Sequence, residues 1–259
     1  MRKHGHLVLV ESRRRQRPCR DVRFARPRTG HRPVPTPDYG FSHGLTSFVE
    51  RKGAWSAMLG VESLSQVDCS EVADVLADSF QLDPAFVELF REVPPRRARS
   101  YHAFMHIWAR SSFRLGHSVQ GIRVNGALVG VAGVTAESKR EVLAFWPELL
   151  SLPVLLAEMK LPVGLALASA VRRPPAIPSA TPEISMLAVR PSMHGQGIGA
   201  TLLRAAHSIT AKRRDADYVY LYTTATKSKA FYEKQGYQLV AATRGAAVDV
   251  FHMLGKLQP

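Results

Sequence analysis

The run EISMLAVRPSMHGQGIGATLLRAAHS, residues 183–208, limits the folds open to this chain more than any other stretch. It begins as a β-rich apolar segment and ends as a helix with Leu202, Leu203 and Ala206 on one face. Between them lies a turn holding Gly195, Gly197 and Gly199. Glycines let the backbone approach a ligand with no Cβ in the way. The first N–H groups of the helix have no intrahelical partners. Strand, turn and helix together make an anion site suited to a pyrophosphate.

The same letters also fit the dinucleotide pattern G-x-G-x-x-A, which asks for an acidic residue after the following strand to hold a ribose hydroxyl. Here Asp215 and Asp217 precede the next strand, 218–223, and Thr223 and Thr224 follow it. The Lys-Ser/Thr pair of a phosphate-binding P-loop is also missing. Both nucleotide readings lose ground.

Around this junction the pattern alternates between element types. GVESLS reads as a short strand, and EVADVLADSF (71–80) as a helix burying Val72, Val75, Leu76 and Phe80. Helices follow at 84–91 and about 96–114. Residues 118–136 form a hairpin turning at Asn125-Gly126, a dipeptide that accepts the positive φ angles of a tight turn. Residues 138–170 are helical in character, broken at Pro153 and Pro162, and 173–182 is a proline-rich loop. After the strand at 183–190 come helix 197–213, strand 218–223, helix 227–235 and strands 237–242 and 247–255. The expectation is an α/β fold over 58–259, with a mixed, mostly antiparallel central sheet flanked by helices.

Charge separates the first residues from this domain. The chain carries 35 Lys+Arg against 21 Asp+Glu, a net charge of +14, and residues 1–40 alone account for +8 of it. That stretch also holds Pro18, Pro27, Pro33, Pro35 and Pro37 and little apolar periodicity. Residues 1–57 are therefore expected to be a disordered basic arm. Such an arm is either a solvated tail, with Met58 an alternative start, or a contact for nucleic acid through residues 1–40 or for a membrane surface, because arginine clusters neutralise phosphates. Cys19 and Cys69 are the only cysteines, which leaves no disulfide framework and fits a reducing cytoplasm. The longest apolar stretch, 153–171, contains Glu158, Lys160 and Pro162, which argues against a membrane span. His102 and His106 share one helix face at metal-binding spacing but lack an obvious carboxylate or thiolate partner, so no metal is expected.

VRPSMHGQGIGATLL resembles the acetyl-CoA-binding motif of the GNAT acetyltransferase superfamily, Arg/Gln-x-x-Gly-x-Gly/Ala, with His194 where Arg or Gln is usual. KAFYEKQGY, 229–237, is similar to that family's second signature, F-Y-x-x-x-G-[FY]. The two stand in the family's order, and the resemblance spans roughly 60–257. Within the family, DSFQLDPAFVELF (78–90) and the long helical insertion most resemble the small-molecule type such as puromycin N-acetyltransferase.

The resemblance implies acetyl-CoA as co-substrate, with pantetheine along the backbone of Leu187, Ala188 and Val189. His194, Gly195, Gln196, Gly197, Ile198, Gly199 and Ala200 would surround the pyrophosphate, with Ser228 where the family often has Asn. Three residues are candidates for the chemistry. The Leu187 N–H would polarise the thioester oxygen. Tyr232 would protonate the leaving thiolate, or is a core aromatic like Phe231. Glu183 would be the general base with a raised pKa, or an exposed glutamate at a strand start.

The acceptor is expected to be a small-molecule amine with an apolar body, held by 137–180 with Phe145 and Trp146, unless those helices only cover the sheet or form a dimer contact. A protein or peptide N-acetyltransferase is the second reading. A non-catalytic acyl-CoA-binding or polyanion-binding protein is the third.

Overall fold

The computed structural model describes residues 60–90, 99–135, 159–212, 216–245 and 248–257. The arm expected at 1–57 and the helical stretch expected at 138–158, with Phe145 and Trp146, lie outside the described residues.

Strands β1 (Val61–Ser63), β2 (Ser118–Val124), β3 (Ala127–Val134) and β4 (Ile184–Val189) form one antiparallel sheet in chain order. The β2–β3 hairpin closes on Asn125 at φ 51° and Gly126 at φ 81°, the pair of positive angles expected from the dipeptide. Strands β5 (Tyr218–Thr223), β6 (Tyr237–Arg244) and β7 (Asp249–Lys256) form a second antiparallel sheet, ordered β5-β7-β6.

Helices cover both faces of the first sheet. Helices α1 (Cys69–Phe80), α2 (Pro84–Leu89) and α3 (Arg99–Arg114) pack on one face, where Val72, Leu76, Tyr101 and Met105 meet Leu128, Val131, Met186 and Ala188. Helix α4 (Leu161–Ala170) adds Val163 to that side. Helix α5 (Ile198–Ala211) covers the other face with Ile198, Leu202, Leu203 and Ala206, against Val129, Ala132 and Val134. Each of the three larger α5 side chains contributes about 1.5–3 kcal/mol by burial. Alternate residues of β3 thus enter opposite cores, which explains why the strand reads as an unbroken apolar run. Helix α6 (Thr226–Lys234) links β5 to β6.

Among the described residues the two sheets meet parallel at one bridge, Glu183 to Tyr220, where the Tyr220 N–H donates to the Pro182 carbonyl at 2.9 Å. Beyond it β4 and β5 no longer pair. Their C-terminal ends lead directly into the connections that begin α5 and α6.

Candidate active site

A β-bulge sets the geometry of β4. Val134 pairs with Ile184 and Gly133 with Met186, which leaves Ser185 as the extra residue. The bulge resets the strand's alternation: Ile184 before it and Leu187 and Val189 after it face the α5 core, while Met186 and Ala188 face the α1 core. The Arg190 N–H donates to the Val129 carbonyl at 2.8 Å. By antiparallel alternation, the backbone groups of Leu187 and Val189 then point away from β3, into the gap between β4 and β5.

The turn after β4 is held by local backbone bonds. A short 3-10 turn spans Pro191–Met193, and the His194 N–H donates to the Pro191 carbonyl at 3.2 Å. Gly195 at φ 77° and Gly197 at φ 83° occupy the left-handed region, and Gly197 is the N-cap of α5. Gly199 differs: a Cβ there would lie 3.6 Å from Phe231 and 3.7 Å from Val189, ordinary packing distances. The first intrahelical bond runs from the Thr201 N–H to the Gly197 carbonyl at 3.0 Å. The N–H groups of Ile198, Gly199 and Ala200 are the helix-end donors ahead of it. Gln196 is half-buried, its Nε2 3.7 Å from the Met193 sulfur.

His194 takes a position the sequence did not indicate. Its Nε2 lies 2.8 Å from the Val189 carbonyl, so this exposed ring donates to the open edge of β4.

A cavity of about 510 Å³ enters the gap from the α2–α3 side. It brings together four of the sequence candidates, Glu183, Leu187, Ser228 and Tyr232. Ala188 is buried in the core, and Val189, His194 and the glycine turn lie outside the cavity lining. Tyr232 is 8% exposed, and burial raises its phenol pKa well above the usual tyrosine value. It packs on Phe231 and Tyr237 with ring centroids 5.2 and 5.5 Å away.

Glu183 is more constrained than a free strand-start glutamate. Its Oε2 meets Arg173 Nη2 at 3.0 Å, and its N–H donates to Thr135 Oγ1 at 3.2 Å. Arg173 also donates to the carbonyls of Pro178, Ser179 and Thr181, each at 2.9 Å, and stacks over Tyr220 at 4.8 Å. The proline-rich loop is thereby fastened beside the carboxylate. Apolar surroundings, which the sequence suggested, are only part of the Glu183 environment.

The cavity wall came largely from residues that sequence reasoning missed. Phe86 of α2 and Phe104 and Trp108 of α3 form an aromatic cluster, with Phe80 stacked on Trp108 at 5.5 Å. Asp83 N-caps α2, accepting from the Ala85 N–H at 2.9 Å and from the Thr224 hydroxyl at 2.7 Å across 141 positions of chain. The sequence signal there, Asp before Pro84, marks a helix start and nothing more. Leu167, Ala168 and Val171, at and just after α4, supply the part of the wall expected from 137–180.

Residues 154–239 match the family model for the acetyltransferase (GNAT) domain. The fold is the GNAT fold. A histone acetyltransferase HPA2 and related acetyltransferase from Corynebacterium glutamicum superposes with a TM-score of 0.55 at 20% identity, covering 78% of this chain and 98% of that one. The Drosophila melanogaster polyamine N-acetyltransferase, which forms N-acetylagmatine, superposes with a TM-score of 0.52 at 16% identity, covering 77% of this chain and 100% of that one. No curated protein matches the sequence. These identities establish the GNAT fold without choosing a subtype, so the likeness of 78–90 to the puromycin enzyme gains nothing from them.

His102 is exposed and His106 half-buried on α3, and no cluster of three or more potential metal ligands occurs among the described residues. No helix among the described residues is long and apolar enough to cross a membrane.

Proposed function

We propose that this protein is an acetyl-CoA-dependent N-acetyltransferase that moves an acetyl group to a primary amine of a small molecule in a ternary complex. The observation that carries the reading is the gap between β4 and β5. The bulge at Ser185 turns the Leu187 and Val189 backbone toward it, the N-terminus of α5 follows from its β4 side, and Tyr232 lies in its cavity.

Each residue has a task in this reading. Gly195 to Ala200 present backbone donors to the pyrophosphate, with Gly197 holding the angle at which α5 begins. The edge of Leu187, Ala188 and Val189 pairs with the pantetheine amides, and His194 must release or share the Val189 carbonyl when they arrive. Ser228 flanks the thiol end. Acetyl-CoA supplies an activated acyl group, and the Leu187 N–H is the fixed donor for its carbonyl oxygen. Tyr232 is a protonated phenol at neutral pH and is the proton donor for the departing thiolate in this reading. Glu183 receives the proton of the acceptor ammonium directly or through water, with Arg173 fixing its orientation.

Side chains of α2, α3 and α4 line one side of the cavity, which supports a compact amine over a peptide in this reading. Calorimetry with acetyl-CoA and an amine screen read as thiol release test the reading. Saturable acetyl-CoA binding with amine-dependent thiol release is expected, and a protein that binds no acetyl-CoA would refute it.

A further inference from the structure

Among the described residues, the cavity holds one carboxylate with no counter-ion. Asp83 and Glu183 both line it, while no lysine or arginine does so among the described residues. Glu183 is matched by Arg173. Asp83 has hydrogen bonds but no ion pair among the described residues, and the Ala85 and Thr224 donors both reach Oδ1. An ionised carboxylate offers about four lone-pair sites, so acceptor capacity remains. Burial pushes the Asp83 carboxyl pKa above the ordinary aspartate value, against the opposing pull of Thr224 and the backbone of Ala85 and Phe86. Tyr222, 39% exposed, lines the same cavity as both carboxylates.

The rest of the lining suits an organic cation. The faces of Phe86, Phe104 and Trp108 accept either an apolar body or a positive charge. Ser111 of α3 lines the same cavity, and its buried hydroxyl has no partner among the described residues. A cavity of about 510 Å³ holds a small organic molecule.

The chemistry of transfer decides which nitrogen Asp83 would hold. The attacking nitrogen must lose its proton, a task the proposed function gives to Glu183 beside Leu187, whereas an ion pair to a second carboxylate raises the pKa of an ammonium and keeps it charged. Asp83 therefore suits a second cationic group that takes no part in the reaction. We propose that the acceptor is a diamine with an apolar or aromatic body, one nitrogen acetylated beside Glu183 and Leu187 and the other retained as an ammonium on Asp83. The proposal rests on the reading of this protein as an N-acetyltransferase, and Asp83 is its specificity residue.

The test compares p-xylylenediamine with p-methylbenzylamine, which share a ring and one amine, on the full chain with acetyl-CoA. In the wild type, KM for the diamine should lie at least about tenfold below that for the monoamine. Asp83→Asn keeps the volume and the α2 cap. It should raise the diamine KM about tenfold to a hundredfold while changing kcat less than about twofold. Equal KM values in the wild type, or a preference that survives Asp83→Asn, would overturn the proposal. So would a collapse of kcat in Asp83→Asn with loss of the acidic limb of the pH profile, because Asp83 would then be the base. If acetyl-CoA binds but neither amine is acetylated, the catalytic reading fails by itself. Calorimetry with the diamine then decides the anchor: binding weakened by Asp83→Asn supports it, and binding that is absent or unaltered rejects it.

Discussion

The turn between β4 and α5 is built from backbone, whereas the cavity beside α2, α3 and α4 is built from side chains. At the turn, two glycines hold positive φ angles, three helix-end N–H groups follow, and the neighbouring strand edge presents its own amides. In the cavity, rings from positions 80, 86, 104 and 108 meet carboxylates at 83 and 183 and hydroxyls at 111 and 224. The first arrangement can bind any molecule carrying the same polar backbone. The second selects by shape and charge. A protein divided in this way can keep one co-substrate while its acceptor changes by a few substitutions.

Four measurements break or sharpen that comparison. The largest effect is expected from Tyr232→Phe, which removes the proposed proton donor and leaves the packing. Turnover should fall about a hundredfold to ten-thousandfold while acetyl-CoA affinity stays within about twofold. A drop smaller than tenfold would return Tyr232 to the role of a core aromatic.

Next in size is the turn itself. Gly197→Val places a β-branched residue at φ 83°, a strain of about 1–3 kcal/mol. Calorimetry should show acetyl-CoA affinity at least tenfold weaker. Gly199→Ala, whose new Cβ meets only ordinary contacts, should leave the melting temperature within about 2 °C. If the two glycines prove equally sensitive, conformational demand is not what distinguishes them.

Trp108→Leu tests the cavity in the opposite sense. It should raise acceptor KM about tenfold, the scale of one lost aromatic contact, with acetyl-CoA affinity unchanged. A matching loss of acetyl-CoA binding would mean that the two regions are not separable.

The smallest effect is a pH dependence of stability that starts behind the cavity wall. His252 is fully buried, its Nδ1 2.8 Å from the Tyr220 hydroxyl and its Nε2 3.2 Å from Thr243 Oγ1. Burial lowers its pKa below the ordinary 6.5, outweighing the Ala170 backbone bond. The unfolded chain therefore binds a proton that the folded chain refuses, and stability is lost as pH falls below about 6.5. Melting scans from pH 5 to 7 should show that slope, reduced in His252→Gln. His207, also lowered by burial, leaves a residual slope.

The contrast between turn and cavity also explains what was readable beforehand. Local periodicity located the described strands and the α-helices other than α4 to within a few residues, from α1, expected at 71–80 and found at Cys69–Phe80, to β5, found where expected, whereas α4 was expected only within a helical stretch over 138–170 and the 3-10 turns at Gln66–Asp68 and Pro191–Met193 were not foreseen. The Asn125-Gly126 turn and the glycines of 195–197 were legible because the demand on φ is met by the residue itself. The bulge at Ser185 was not, since nothing about a serine in an apolar strand requires an extra residue, and its register depends on β3. Arg173 beside Glu183, and His194 on the Val189 carbonyl, likewise depend on where a loop returns.

By itself, the sequence determined the order of strands and helices, the glycine turn, and the tyrosine on the helix after β5. Each of these is written in neighbouring residues, where backbone sterics and 2.0- or 3.6-residue periodicity act. Only the tertiary structure decided that β4 and β5 part after one bridge, and that Asp83 meets Thr224 across the chain. It also decided that Asp83 alone of the two cavity carboxylates lacks a cation among the described residues. Burial and charge pairing belong to the packed chain, because desolvation depends on everything that surrounds a group and little on its neighbours in sequence.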